Sequence, residues 1–119
     1  GGAVLVVDSD EDTFVGPLRA HFARRPQPIE VVSVDNPPEP AQLMMRMRPR
    51  LVLFNTALIH PDVVRREIAP ISRAGTMALA AITERPDPQL VDAMLKYGVH
   101  AVFTKPLHIK DLERMASLT

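Results

Sequence analysis

The chain has 119 residues, 46% hydrophobic and 24% charged, a composition that suits one soluble domain with a real core. Lys plus Arg equals Asp plus Glu at 14 each, so no basic field draws it to nucleic acid or to an anionic membrane. It has no cysteine, which excludes disulfides, thiol catalysis and cysteine-ligated metal. No apolar run approaches the roughly 20 residues of a membrane span and nothing resembles a secretion signal. A cytoplasmic protein is expected.

In chain order, strand-like and helix-like stretches alternate. Ala3 to Val7 is a continuous apolar run, read as the first strand, and the acidic turn from Asp8 to Asp12 follows it. Asp12 is the expected N-cap of a helix from Thr13 to about Arg25, with Phe14, Val15, Leu18, Phe22 and Ala23 inward and Pro17 tolerable only near its first turn. Pro26 and Pro28 stop it. Ile29 to Val34 is the second strand, and after the proline-rich loop from Asn36 to Pro40, Ala41 to Arg48 forms a short helix. At least one of Met44, Met45 and Met47 must lie outside the core, because three methionines in four residues cannot share one helix face.

The central stretch is Pro49 to Thr56. Leu51-Val52-Leu53-Phe54 reads as a strand buried on both faces, of the kind found inside a parallel sheet, and Asn55 stands at its carboxyl end. Pro61 suits the first position of the next helix, which carries Val63, Val64, Ile68 and Ile71 and which Pro70 should end or kink before Gly75. Met77 to Ile82 is the fourth strand, closed by Thr83. The next helix turns Leu90, Val91, Met94 and Leu95 inward and stops at Gly98. His100 to Thr104 is the fifth strand, and a helix from Ile109 to Leu118 completes the chain, with Leu112 and Met115 or Ala116 inward.

Five strands alternating with five helices predict a single α/β domain over 3–119, a doubly wound parallel sheet of order 2-1-3-4-5 with helices on both faces. Gly1 and Gly2 are left outside it. In such sheets ligands bind beyond the carboxyl ends of the strands, where the order reverses. Asp8, Asn55, Thr83 and Lys105 stand at those ends.

With these pieces in place the chain resembles the response-regulator receiver domain of two-component signalling. The likeness rests on Val4-Leu5-Val6-Val7-Asp8, Pro49 to Thr56, Ile82-Thr83 and Phe103-Thr104-Lys105-Pro106-Leu107, and it runs from about Ala3 to Met115. It implies a phosphoacceptor carboxylate on the third strand, two acids after the first strand for magnesium, a hydroxyl and a lysine for the phosphoryl oxygens, and an aromatic switch on the fifth strand. Asp8, Thr83 and Lys105 match. Ser9, Asn55 and Val102 stand where the second acid, the phosphoacceptor and the aromatic are expected.

An amide is a poor nucleophile near neutral pH, so Asn55 forms no acyl phosphate. Asp8 and Lys105 cancel in charge, where a full receiver site would leave two negative charges to draw in a divalent cation. Asp10, two positions along the turn, is expected to point elsewhere. The remnant pocket of Asp8, Ser9 and Asp10 is therefore expected to hold no metal and no cofactor, with Lys105 paired to Asp8 and Asn55 donating to Asp8 or a nearby carbonyl. His21, His60, His100 and His108 lack metal-ligand spacing.

The reading is a non-enzymatic, phosphorylation-independent pseudo-receiver that docks protein partners, or a second copy of itself, through Lys96, Tyr97, His108, Asp111 and Arg114, and contacts neither nucleic acid nor membrane. Two alternatives stand beside it. One is a receiver phosphorylated on another acid, Asp10. The other is a small-molecule sensor of flavodoxin-like fold, which lacks any glycine-rich phosphate loop after the first strand.

Overall fold

The first strand, β1 (Val4–Val7), is completely buried, as is β3 (Leu51–Asn55), its neighbour at the centre of the sheet. The structure, a computed structural model, describes residues 2–119. β2 (Val31–Val34), β4 (Ala78–Thr83) and β5 (Ala101–Thr104) complete a five-stranded sheet of order β2-β1-β3-β4-β5, parallel throughout. Side chains of a strand alternate between faces. Val4, Val6, Leu51 and Leu53 accordingly enter one core, and Leu5, Val7, Val52 and Phe54 the other.

Five helices cover the two faces. α1 has a first part at Glu11–Val15 and a regular part at Gly16–Ala23; it packs with α5 (Ile109–Ser117) on the first core through Phe14, Val15, Leu18, Phe22 and Met115. α2 (Pro40–Met47), α3 (Pro61–Val63, Val64–Ile68 and Ala69–Ala74 in succession) and α4 (Pro88–Tyr97) cover the second, contributing Ala41, Met44, Val64, Ile68 and Met94.

Several local expectations are corrected. The N-cap of α1 is Asp10, whose carboxylate accepts from the Thr13 amide at 3.1 Å and from the Thr13 hydroxyl. Asp12 is exposed on the first turn. Pro70 does not end α3: the turns before it widen, with the Ala69 amide bonding five residues back to the Val64 carbonyl, and the chain passes through the proline still helical. α1 does the same before Pro17, where the Gly16 amide reaches the Glu11 carbonyl. A proline lacks an amide donor and crowds the carbonyl four residues before it, and a wider turn accommodates both faults.

β2 starts at Val31, because the Ile29 amide is taken by the Phe22 carbonyl at 3.2 Å. α2 ends one residue earlier than expected. Arg48 adopts left-handed backbone (φ 52°) and its amide closes the helix on the Met44 carbonyl. Ala23 and Leu95 face solvent instead of the core. Met44 is buried, Met47 packs at the core margin and Met45 is exposed, the division expected of three methionines on one turn.

Candidate functional site

The crevice lies at the carboxyl ends of β1, β3, β4 and β5. Parallel register places it: Val7 pairs with Phe54 and Asn55 with Ile82, so Asp8 and Asn55 leave adjacent strands at nearly the same height. The Thr56 amide bonds to the Ile82 carbonyl, and the Lys105 amide to the Thr83 carbonyl, both at 2.9 Å, which ties the ends of β3, β4 and β5 together. The Lys105-Pro106 peptide is cis.

Asn55 Nδ2 donates to Asp8 Oδ2 at 3.2 Å, and Asn55 Oδ1 accepts from the Ala57 amide at 2.9 Å. Lys105 Nζ lies 2.9 Å from Asp8 Oδ2. These are the contacts expected from the sequence. The pair is buried, with side-chain exposures of 13% for Lys105 and 2% for Asp8, so neither charge is compensated by bulk water.

The charge balance differs from the sequence expectation. Asp10 does reach the crevice: its Oδ2 is 3.6 Å from Lys105 Nζ. The cause is the turn after β1, in which the Asp10 amide donates to Asp8 Oδ1 at 2.9 Å and brings the second carboxylate back over the first. Glu84, unremarked in the sequence, brings Oε1 to 3.6 Å from the same ammonium from the loop after β4. Three carboxylates thus surround one lysine, leaving two net negative charges, whereas the sequence suggested none. Ser9 is exposed.

Hydrogen bonding and helix capping hold Asp10 below the usual carboxylate range: the Thr13 hydroxyl and amide are the largest causes, ahead of the attraction of Lys105. Lys105 Nζ itself is buried and makes no aligned hydrogen bond. Its short approach to Asp8 is therefore an attraction of charges in poor hydrogen-bond geometry. The ring of Phe14 closes the other side, 4.6 Å from Nζ to its centroid.

Thr83 is buried with its hydroxyl committed to the following turn, donating to the Arg85 carbonyl at 2.9 Å and accepting from the Arg85 amide at 3.3 Å. Val102 is half-buried against the second core. A divalent cation is what a receiver fold implies here, and the donor set does not suit it. Both oxygens of Asp8 are engaged by Asp10, Asn55 and Lys105, both oxygens of Asp10 by Thr13, and among the described residues no cluster of three or more acidic or histidine side chains has the spacing of a metal site.

Of the surface candidates, His108, Asp111 and Arg114 border one shallow cavity of ≈ 350 Å³ together with Val102 and Lys105. Within it the His108 amide donates to Asp111 Oδ2 at 2.9 Å, and the Arg114 guanidinium stacks over the Phe103 ring at 4.9 Å. Lys96 and Tyr97 lie outside that cavity. Lys96 pairs with Asp92 at 2.9 Å, which raises its pKa, and the Tyr97 carbonyl accepts from Arg73 Nη1 at 3.0 Å. A wider groove, ≈ 550 Å³, opens at the other end of the sheet between α2 and α3, lined by Met44, Met45, Arg48, Ile71 and Met77 among others.

A response regulator from Thermotoga maritima superposes with a TM-score of 0.79 at 20% identity, over 98% of this chain and 96% of that one. The fold is that of a receiver domain. The signal receiver domain of a DNA binding response regulator from Colwellia psychrerythraea 34H gives 0.78 at 18% identity, over 98% and 96% of the two chains. A response regulator from Burkholderia pseudomallei, carrying a phosphorylated aspartic acid and a calcium ion, gives 0.74 at 18% identity, over 97% of this chain and 66% of that one. No protein-family model and no curated protein matches the sequence. Among the described residues no helix is long and apolar enough to cross a membrane.

Proposed function

We propose that the chain is a pseudo-receiver: a receiver-fold module of a signalling protein that acts by docking protein partners and undergoes no phosphorylation. The observation that carries this is the Asn55 amide at the carboxyl end of β3, hydrogen-bonded to Asp8 where a receiver would present a carboxylate nucleophile. An amide there neither attacks phosphorus nor ligates a hard cation as a carboxylate does.

Asp10 is no substitute acceptor, because both of its oxygens cap α1 through Thr13. Nor does the crevice offer a small molecule a phosphate cradle, since the turn after β1 is acidic and contains no glycine. The docking face assigned here is formed by α4, β5 and α5, with His108, Asp111 and Arg114 around one cavity and Lys96 and Tyr97 on α4 beside it. Thr83 and Val102 hold this face in one state, the first by its turn hydrogen bonds and the second by being too short to swing as an aromatic ring does.

The test is incubation with a small phosphodonor and Mg²⁺, read by intact mass. The mass stays unchanged; addition of one phosphoryl group refutes the reading. Charge reversal at Arg114 weakens partner association, through its rate more than its lifetime, as rim charges do.

A further inference from the structure

The groove between α2 and α3, ≈ 550 Å³, opens beside the amino ends of β3 and β4, at the far end of the sheet from Asp8 and Lys105. Met44, Met45, Pro70, Ile71 and Met77 form its apolar walls, and the one charged residue that lines it is Arg48. Arg48 is also the one non-glycine residue with positive φ among the described residues, and it ends α2 as Gly98 ends α4. We propose that this groove is a second docking site, which takes an amphipathic helix of a protein partner, its apolar stripe laid along Met45, Ile71 and Met77 and a flanking carboxylate paired with Arg48.

The charge chooses the sign of the partner. A β-carbon disfavours left-handed backbone, so the fold alone is better served by glycine at position 48. The negative end of the α2 dipole does not explain the arginine either, because Arg46 already stands in the last turn. Within the chain the side chain has no counterpart: the arginine side chains that form hydrogen bonds or salt bridges among the described residues are Arg19, Arg25, Arg50, Arg65 and Arg73. Arg48 is exposed, and no acid lines the groove with it. The surrounding stretch from Glu39 to Met77 carries six arginines and three acids, a local net of +3 that the rest of the chain cancels, so an acidic segment is drawn to this end of the molecule. The walls choose its shape. Met45 is 62% exposed, and adaptable thioethers suit a helix stripe of mixed apolar side chains. An extended segment gains no ladder here, since the Arg50 amide bonds to the Ala3 carbonyl at 2.9 Å and the Ala78 amide to the Arg50 carbonyl at 3.0 Å. A helix satisfies its own backbone and needs only the side-chain contacts that the groove offers. A second copy of this chain docking groove to groove would set Arg48 against Arg48.

The probe is a displayed library of helical peptides of about 15 residues, with a fixed leucine stripe and flanking positions randomised between acidic, basic and neutral residues, selected against the whole 119-residue chain. Acidic flanks are enriched, and the selected peptide shifts the methyl signals of Met44, Met45 and Met77 in carbon-13 NMR. Arg48→Gly weakens its binding at least about tenfold, the loss expected of one charge-assisted pair, and so does Met45→Glu. R48G is at least as stable as wild type in urea, because glycine relieves the left-handed position; a clear loss of stability would assign the arginine to the fold and overturn the proposal. No enrichment, enrichment of basic or neutral flanks, or shifts confined to the Arg114 face also overturn it, as does a dimer of the free chain that Met45→Glu dissolves. The proposal does not rest on the face of α4, β5 and α5. Charge reversal at Arg114 leaves the selected peptide bound, and phosphoryl addition at the crevice would sink the pseudo-receiver reading while leaving this groove untouched.

Discussion

Asn55 and Asp8 are joined by a buried hydrogen bond of 3.2 Å between neighbouring strands, with Asn55 the donor. Asp8 is thereby provided with an N–H partner that an aspartate at position 55 could not offer in its ionised form. Asn55→Asp removes this donor and sets two carboxylates side by side, only partly relieved by Lys105. The variant is expected to lose about 1–3 kcal/mol of stability at neutral pH, measured by urea unfolding, and to recover part of it on mild acidification as one of the two acids takes up a proton. With Ser9 unchanged, phosphoryl uptake by this variant is expected to be weak at best.

The Asp8–Lys105 pair is buried, so removing one member strands the other. Asp8→Asn and Lys105→Met are each expected to destabilise, and the double variant to be less unstable than the two single losses summed. A coupling of about 1–3 kcal/mol in a double-mutant cycle is the expected reading. Strict additivity would mean that the short approach contributes nothing.

Asp10 supplies a pH dependence whose sign is set by its depressed pKa. Its contribution to α1 is fully present above the carboxylate's unfolded pKa and is lost as the pH falls through the lower folded value. Carbon-13 NMR of the Asp10 carboxyl should titrate below the ordinary aspartate range. Thr13→Val removes the hydroxyl, the largest cause of the depression, and should bring the midpoint back up.

Gly98 ends α4 at φ 109°, a backbone conformation that a β-carbon disfavours, and an added Cβ would meet Arg73 Nη1 at 3.3 Å. Gly98→Ala is expected to cost about 1–2 kcal/mol in thermal or urea unfolding. It should also disturb the bond from Arg73 to the Tyr97 carbonyl, which joins α3 to the last turn of α4.

Phe54 lies at the centre of β3 with no exposure, so its truncation leaves a cavity that a sheet flanked by β1 and β4 cannot close. Phe54→Ala should cost about 3–5 kcal/mol. A loss within experimental error of zero would mean that β3 does not occupy the centre of the sheet.

How much of this was legible in the chain depends on the range of the interaction. The double-sided burial of β1 and β3, the alternation of strand and helix and the left-handed glycine at 98 are local signals of pattern and backbone preference, and they led to the strand order that the structure has. The meeting of Asp8, Asn55 and Lys105 followed from that order, because a parallel sheet of this topology gathers the ends of β1, β3 and β5. Of the two outcomes expected at Pro70, an end or a kink, the helix does not end there: packing against the sheet holds it together through a widened turn before the proline, and it stops at Gly75. Ala23 and Leu95 continued their helical patterns by sequence yet lie outside the contact with the sheet.

Sequence alone determined that position 55 carries an amide and that the chain has the strand order to present it beside Asp8. Only tertiary structure decided the electrostatics around that amide. Glu84 lies 76 residues beyond Asp8 in the sequence, and Asp10 turns back through a single backbone hydrogen bond, so counting charges along the motif missed both. Coulomb attraction depends on distance in space, and distance in space at a sheet edge is set by loop conformation, which short-range sequence pattern does not encode.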